Sequence, residues 1–151
     1  MKKVLIVIML FTLISCEEKE RFIHYTYNGV TVTRVDKGTL IKFYYGNYNA
    51  HKSLPPQSIA ASYRGRDGYM EGYLVFKENK VVKIVRTGGM FEAIIPYDSL
   101  KLEEFDSNIK FIEWHDKFKG NYQNICWLSD SDKFEIQNNK ENKSAVKAIY
   151  N

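Results

Sequence analysis

Phe22-Ile23-His24-Tyr25-Thr26-Tyr27-Asn28-Gly29-Val30-Thr31-Val32-Thr33 is the stretch on which the fold turns. Aromatic and β-branched side chains on both sides of the Asn-Gly pair suit a pleated, half-buried surface. The pair itself supplies the positive φ angles of a tight type I′ loop, whose twist matches the strands it joins. The stretch therefore predicts a β-hairpin. Asp36-Lys37-Gly38 next separates residues 30–35 from residues 40–45, in the manner of a type I turn closed by a left-handed glycine. Three consecutive antiparallel strands follow from these two turns.

Working outward, residues 46–58 contain Pro55-Pro56, which fits neither a ladder nor a helix interior, and read as a long surface loop. Residues 59–63 suit a strand or a short helix. Residues 69–76, 81–86 and 90–95 are strand-like and are joined by Glu78-Asn79 and Gly88-Gly89, which predicts a meander. Residues 98–106 carry Leu100, Leu102 and Phe105 among acids, with Asp98 or Ser99 as a cap, and predict one or two helical turns. Strands are expected again at 109–114, 122–128, 133–136 and 145–150, with a polar loop at 138–144. The fold class this predicts is all-β: a mostly antiparallel sandwich or barrel with one or two short helices.

At the other end, Lys2 and Lys3 precede an apolar run over residues 4–14, broken only by Thr12. This is the order of a secretory signal. As a helix those eleven residues would rise only about 16 Å at 1.5 Å each, half of the ~30 Å hydrocarbon core. Leu13-Ile14-Ser15-Cys16 resembles the lipobox of bacterial lipoproteins. The resemblance implies a signal peptide over residues 1–15, cleavage before Cys16, and acyl chains on the Cys16 sulfur and the new amino group. Two or more such chains anchor a protein stably to a bilayer. Glu17-Glu18-Lys19-Glu20 lacks the aspartate of the enteric inner-membrane retention signal, so outer-membrane residence is expected, on the periplasmic face or at the surface. The same acidic cluster resembles the surface-export tag of Bacteroidota lipoproteins, although a charged tether needs no such meaning. The expected organisation is signal peptide 1–15, lipidated Cys and tether 16–21, and one β-rich domain over 22–151.

Cleavage would remove two lysines, lowering the formal charge from +4 to +2 and leaving 136 of the 151 residues, enough for one cored domain. A charge of +2 without a basic stripe excludes phosphate-backbone recognition as an expectation, so nucleic acid is not a predicted partner. Of the two cysteines, lipidation would consume Cys16, leaving Cys126 with no internal disulfide partner. Cys126 lies in the apolar run Ile125-Cys126-Trp127-Leu128, where a small buried thiol is the usual finding.

No pattern carries catalysis by itself. His24, His51 and His115 are the only imidazoles, and none is placed locally as a base for Cys126. They lie far apart, with only the adjacent His115-Asp116 as a weak metal pair, so no metal or other cofactor is predicted. Glu103-Glu104 and Asp130-Asp132 sit in polar, turn-like segments that ordinarily hold solvated carboxylates. Tyr63-Arg64-Gly65-Arg66-Asp67-Gly68-Tyr69 sets two guanidinium groups in a glycine-rich turn between aromatic rings. With Tyr73 it forms the candidate ligand-binding set Tyr63, Arg64, Arg66, Tyr69 and Tyr73, suited to a carboxylate, phosphate or sugar. The commoner reading of such a turn is an exposed hairpin whose arginines pair with Asp67. All eleven tyrosines follow Cys16, which offers an aromatic face for a glycan or protein, though tyrosine also favours strands.

The leading functional expectation is a non-enzymatic, lipid-tethered envelope protein that binds a protein partner, as an immunity or inhibitor protein does. The alternatives are a glycan- or peptidoglycan-binding surface lipoprotein, and an envelope hydrolase whose carboxylates converge only in the fold.

Overall fold

Asn28 and Gly29 take φ angles of 47° and 75° and close strand β1 (Arg21–Tyr27) onto β2 (Val30–Lys37), with Tyr27 opposite Val30. The computed structural model describes residues 19–62, 70–88, 90–95, 97–105, 108–117 and 122–151. The second turn is tighter than the sequence predicts. Lys37 pairs with Leu40, so the loop to β3 (Leu40–Tyr45) is Gly38-Thr39, with Gly38 at φ 57° in its first position.

The remaining strands are β4 (Ser58–Ser62), β5 (Glu71–Phe76), β6 (Val82–Gly88), β7 (Met90–Ile95), β8 (Leu100–Glu103), β9 (Ile125–Ser129) and β10 (Lys147–Tyr150). Among the described residues two helices accompany them, α1 (Asn108–Lys117) and α2 (Asp132–Glu141). The fold is a two-sheet, mostly β structure. One sheet has the order β10-β1-β2-β3-β4-β7 and the other β8-β6-β5-β9. Every pairing is antiparallel except β6 with β8.

Registers decide what faces the interior. Across the six-stranded sheet one row runs Tyr150, Ile23, Arg34, Phe43, Ile59, and the next runs Ala148, Tyr25, Val32, Tyr45. Leu74, Phe76, Val82, Ile84, Cys126 and Leu128 meet them from the other sheet, forming one core in which most side chains are fully buried. Gly72 lets β5 and β6 approach closely, since a Cβ there would lie 2.8 Å from the Val85 carbonyl oxygen.

The outer faces are partly covered too. The proline-containing segment predicted as a surface loop folds back, and Tyr48 and Leu54 cover Phe22, Val35 and Tyr44. Thr33 anchors it: its hydroxyl donates to Gly46 O at 2.7 Å and accepts from Tyr48 N–H at 3.1 Å. With that proton committed, the 3.2 Å contact to His24 Nδ1 is a donation from the ring, which fixes the tautomer. On the second sheet, Phe105, Trp114 and Tyr122 pack with Tyr73 over Val75, Val85 and Ile125.

Several expectations are corrected. Residues 109–114 lie in α1 rather than in a strand: a short apolar run has no decisive period, and Trp114 reaches Tyr73 and Phe105 from the helix. Residues 100–103 form β8 instead of a helical turn, since burial of Leu100 and pairing to β6 override the caps. Residues 133–136 and part of the predicted loop at 138–144 belong to α2. The predicted meander also breaks after β6, because β7 pairs with β4 in the other sheet.

Candidate functional site

The sandwich has two poles, and polar side chains gather at each. At the N-terminal pole Arg34 points between the sheets with no exposure, placed there by its register opposite Ile23 and Phe43. Its Nε and Nη2 donate to the two oxygens of Asp36 at 2.6 and 3.0 Å, and Nη1 donates to Ser129 O at 2.7 Å. Nη1 also lies 3.3 Å from Oε2 of Glu135, the one wholly buried side chain of α2. Glu135 accepts further bonds from Tyr25 and Tyr150 hydroxyls, each at 2.8 Å, and from Ser129 N–H at 2.9 Å. Arg21 ties Asp36 to Asp132 at the first turn of α2.

Burial sets the titration of this cluster. It pushes the Glu135 carboxyl above its ordinary range, against the pull of Arg34, the Ser129 amide and the two phenols. Burial opposes the Arg34 charge as well, but the oxygens of Tyr25, Asp36 and Glu135 outweigh it and hold the guanidinium charged. Tyr25 and Tyr150 are raised by burial and by Glu135. Apart from Asp132 Oδ1, which is buried without a hydrogen-bond partner, the carboxylate oxygens of the cluster are all engaged, which suits it to holding α2 in place.

At the opposite pole three turns leave a cleft of about 370 Å³. These are the Asn28-Gly29 loop, the turn through Lys77, Glu78 and Lys80, and the Tyr122–Asn124 turn before β9. Tyr27 and Phe76 form its apolar part, with ring centroids 5.9 Å apart. Asn28, Gln123, Asn124 and the charged residues of the second turn provide the rest. The walls are fastened together. Asn124 Nδ2 donates to Phe76 O at 2.6 Å while Asn124 O accepts from Phe76 N–H at 2.9 Å, and Tyr45 hydroxyl donates to Lys80 O at 2.8 Å. The positive φ angles of Asn28 and Lys80 further fix the rim.

The residues singled out by sequence fall elsewhere. Cys16, Tyr63, Arg64, Arg66 and Tyr69 lie outside the described residues. Tyr73 is half-buried on the outer face of β5, its ring 5.7 Å from Trp114 and 6.2 Å from His115, and burial pushes its phenol up to about 12. It does not line the cleft. Three of the four paired acids meet cations, Glu103 with Lys83 at 2.7 Å, Glu104 with Arg86 at 3.0 Å and Asp132 with Arg21 at 2.6 Å, while Asp130 accepts from the Ser129 hydroxyl at 3.2 Å. Cys126 is fully buried, with Asn139 Nδ2 3.2 Å from its sulfur, and burial together with Glu135 pushes the thiol up, away from the thiolate a nucleophile needs. His115 is hydrogen-bonded to Tyr122 at 3.1 Å.

Sequence reading missed Arg34, Glu135 and the cleft residues. For Arg34 a signal was present, since the Asn-Gly hairpin register sets it opposite Ile23 on the same face as Tyr25. Among the described residues no helix is long and apolar enough to cross a membrane. No family model, curated protein or solved structure is significantly similar to this chain.

Proposed function

We propose that this chain is a lipid-anchored binding protein of the bacterial cell envelope, tethered through Cys16 and acting by recognition and not by catalysis. The observation that carries the reading is the opposition of the two poles. The chain joins the sandwich at Lys19–Arg21, beside Asp36 and Asp130, whereas the cleft opens beyond Tyr27 at the other end of β1. Seven residues of strand separate the two ends by about 20 Å at 3.3 Å per residue. An anchor three residues before Lys19 thus leaves the cleft directed away from the bilayer. A binding role is further supported by the buried charges, since Glu135 and Arg34 are unexposed and engaged with protein partners.

Outer-membrane residence belongs to the same proposal. A protein partner, as an immunity or inhibitor protein has, would meet the membrane-distal pole with its three turns; the small polar cleft there favours a glycan. Labelling growing cells with radioactive palmitate tests the anchor. The expected result is incorporation into the chain that Cys16→Ser abolishes, with release of the protein from the membrane fraction. Equal labelling of the variant would overturn it.

A further inference from the structure

We infer that the cleft between the Asn28-Gly29, Lys77–Lys80 and Tyr122–Asn124 turns is a saccharide site for one or two sugar rings, Tyr27 supplying the stacking surface and side-chain amides the hydroxyl contacts. The inference rests on the binding role proposed above and names its ligand class.

Size is the first argument. At about 370 Å³ the cleft lies near the lower end of the roughly 300–1,000 Å³ over which ligand pockets are found, so it suits a small ligand or one end of a chain. Chemistry is the second. An acyl chain or a flat apolar ligand needs a mostly hydrophobic lining, whereas here Asn28, Gln123 and Asn124 supply amides that both donate and accept. A sugar ring presents hydroxyls with the same dual capacity on its edge and C–H groups on its face, and the latter suit the half-buried Tyr27 ring.

Preorganisation is the third. Asn124 is held through its own Nδ2 and carbonyl to Phe76, so its Oδ1, which has no partner among the described residues, keeps one direction. Little side-chain freedom is then lost on binding.

The test uses the protein purified from envelopes in detergent, acylated or not, so that loss of the anchor and loss of binding are read separately. It is titrated with neutral and acidic oligosaccharides of the bacterial envelope, including peptidoglycan fragments. Asn28→Gly removes an amide while keeping the turn, Gln123→Ala alters an exposed side chain, and Tyr27→Leu preserves packing on Phe76. The expected result is saturable binding that each variant weakens, by about tenfold for a lost stacking or hydrogen-bonded contact, with cooperative unfolding retained. Absence of binding by every oligosaccharide, or binding unchanged in the Asn28→Gly/Tyr27→Leu pair, overturns the inference. So does binding lost only on Arg66→Ala or Tyr69→Ala, which assigns the ligand to residues 63–69. Capture of a protein partner that the same pair of substitutions abolishes, with no sugar competing, reassigns the cleft to a protein loop.

Discussion

Glu135 and Arg34 show how a charge survives inside a β-sandwich: both Glu135 oxygens and all three Arg34 nitrogens have a named partner, and removing one group strands the others. Glu135→Ala is expected to cost about 3–5 kcal/mol of unfolding free energy, as breaking a buried ion pair does, read from urea midpoints. Arg34→Met should cost about as much by the same rule, because it leaves both Glu135 and Asp36 uncompensated. The pH dependence has a definite sign. The folded-state value of Glu135 is raised above 4.5, so its contribution is fully present below 4.5 and is lost as pH rises through the folded value. Glu135→Gln does not titrate there. The stability difference between wild type and Glu135→Gln should therefore shrink as pH rises above 4.5; a difference that widened would reverse the assignment.

Among the elements, β1, β2 and β3 were legible because turn chemistry, strand propensity and register all agree there. Helix α2 was not. Its exposed side carries Phe134 and Ile136, and its buried side carries Glu135 and Asn139, the reverse of the usual amphipathic pattern. The inversion has a cause on β9. Asn139 accepts from Trp127 N–H at 2.6 Å and donates to Trp127 O at 2.8 Å, so a side-chain amide takes the place of a neighbouring strand. Ser144 hydroxyl bonds Ile125 O, and Arg34 and Glu135 take Ser129. The free edge of β9 is thereby covered. Asn139→Leu leaves two backbone groups of Trp127 unpaired and should cost about 1–3 kcal/mol for each one buried, with faster hydrogen exchange at the Trp127 amide. Gly72→Ala should cost about 1–3 kcal/mol, the usual range for overpacking, because β5 and β6 must part around the new methyl; a calorimetric melt reads the loss.

The whole molecule brings together parts that no local pattern connects. Cleft residues Tyr27, Phe76 and Asn124 lie on three separate stretches, each an ordinary turn or strand end when read alone. Only the pairing of β5 with both β6 and β9 brings two of them to one pole. The candidate site was therefore illegible in sequence, whereas the all-β class was legible from strand density. Polarity of the fold gives a further prediction. In vesicles holding the lipidated protein, a fluorophore on Thr39→Cys, beside the point where the chain joins the sandwich, should be quenched by headgroup-level quenchers. One on Asn28→Cys should be spared, and equal quenching at both would remove the proposed orientation.

The side-chain cover over β9 also constrains which mutations evolution can accept. Glu135 and Asn139 are four residues apart, one turn of α2, and reach the same strand only while that helical phase is kept. A one-residue insertion or deletion between Ser131 and Glu135 would rotate both away together by about 100°. Drift at Phe134 and Ile136 is then tolerated freely, while the length of this segment is locked.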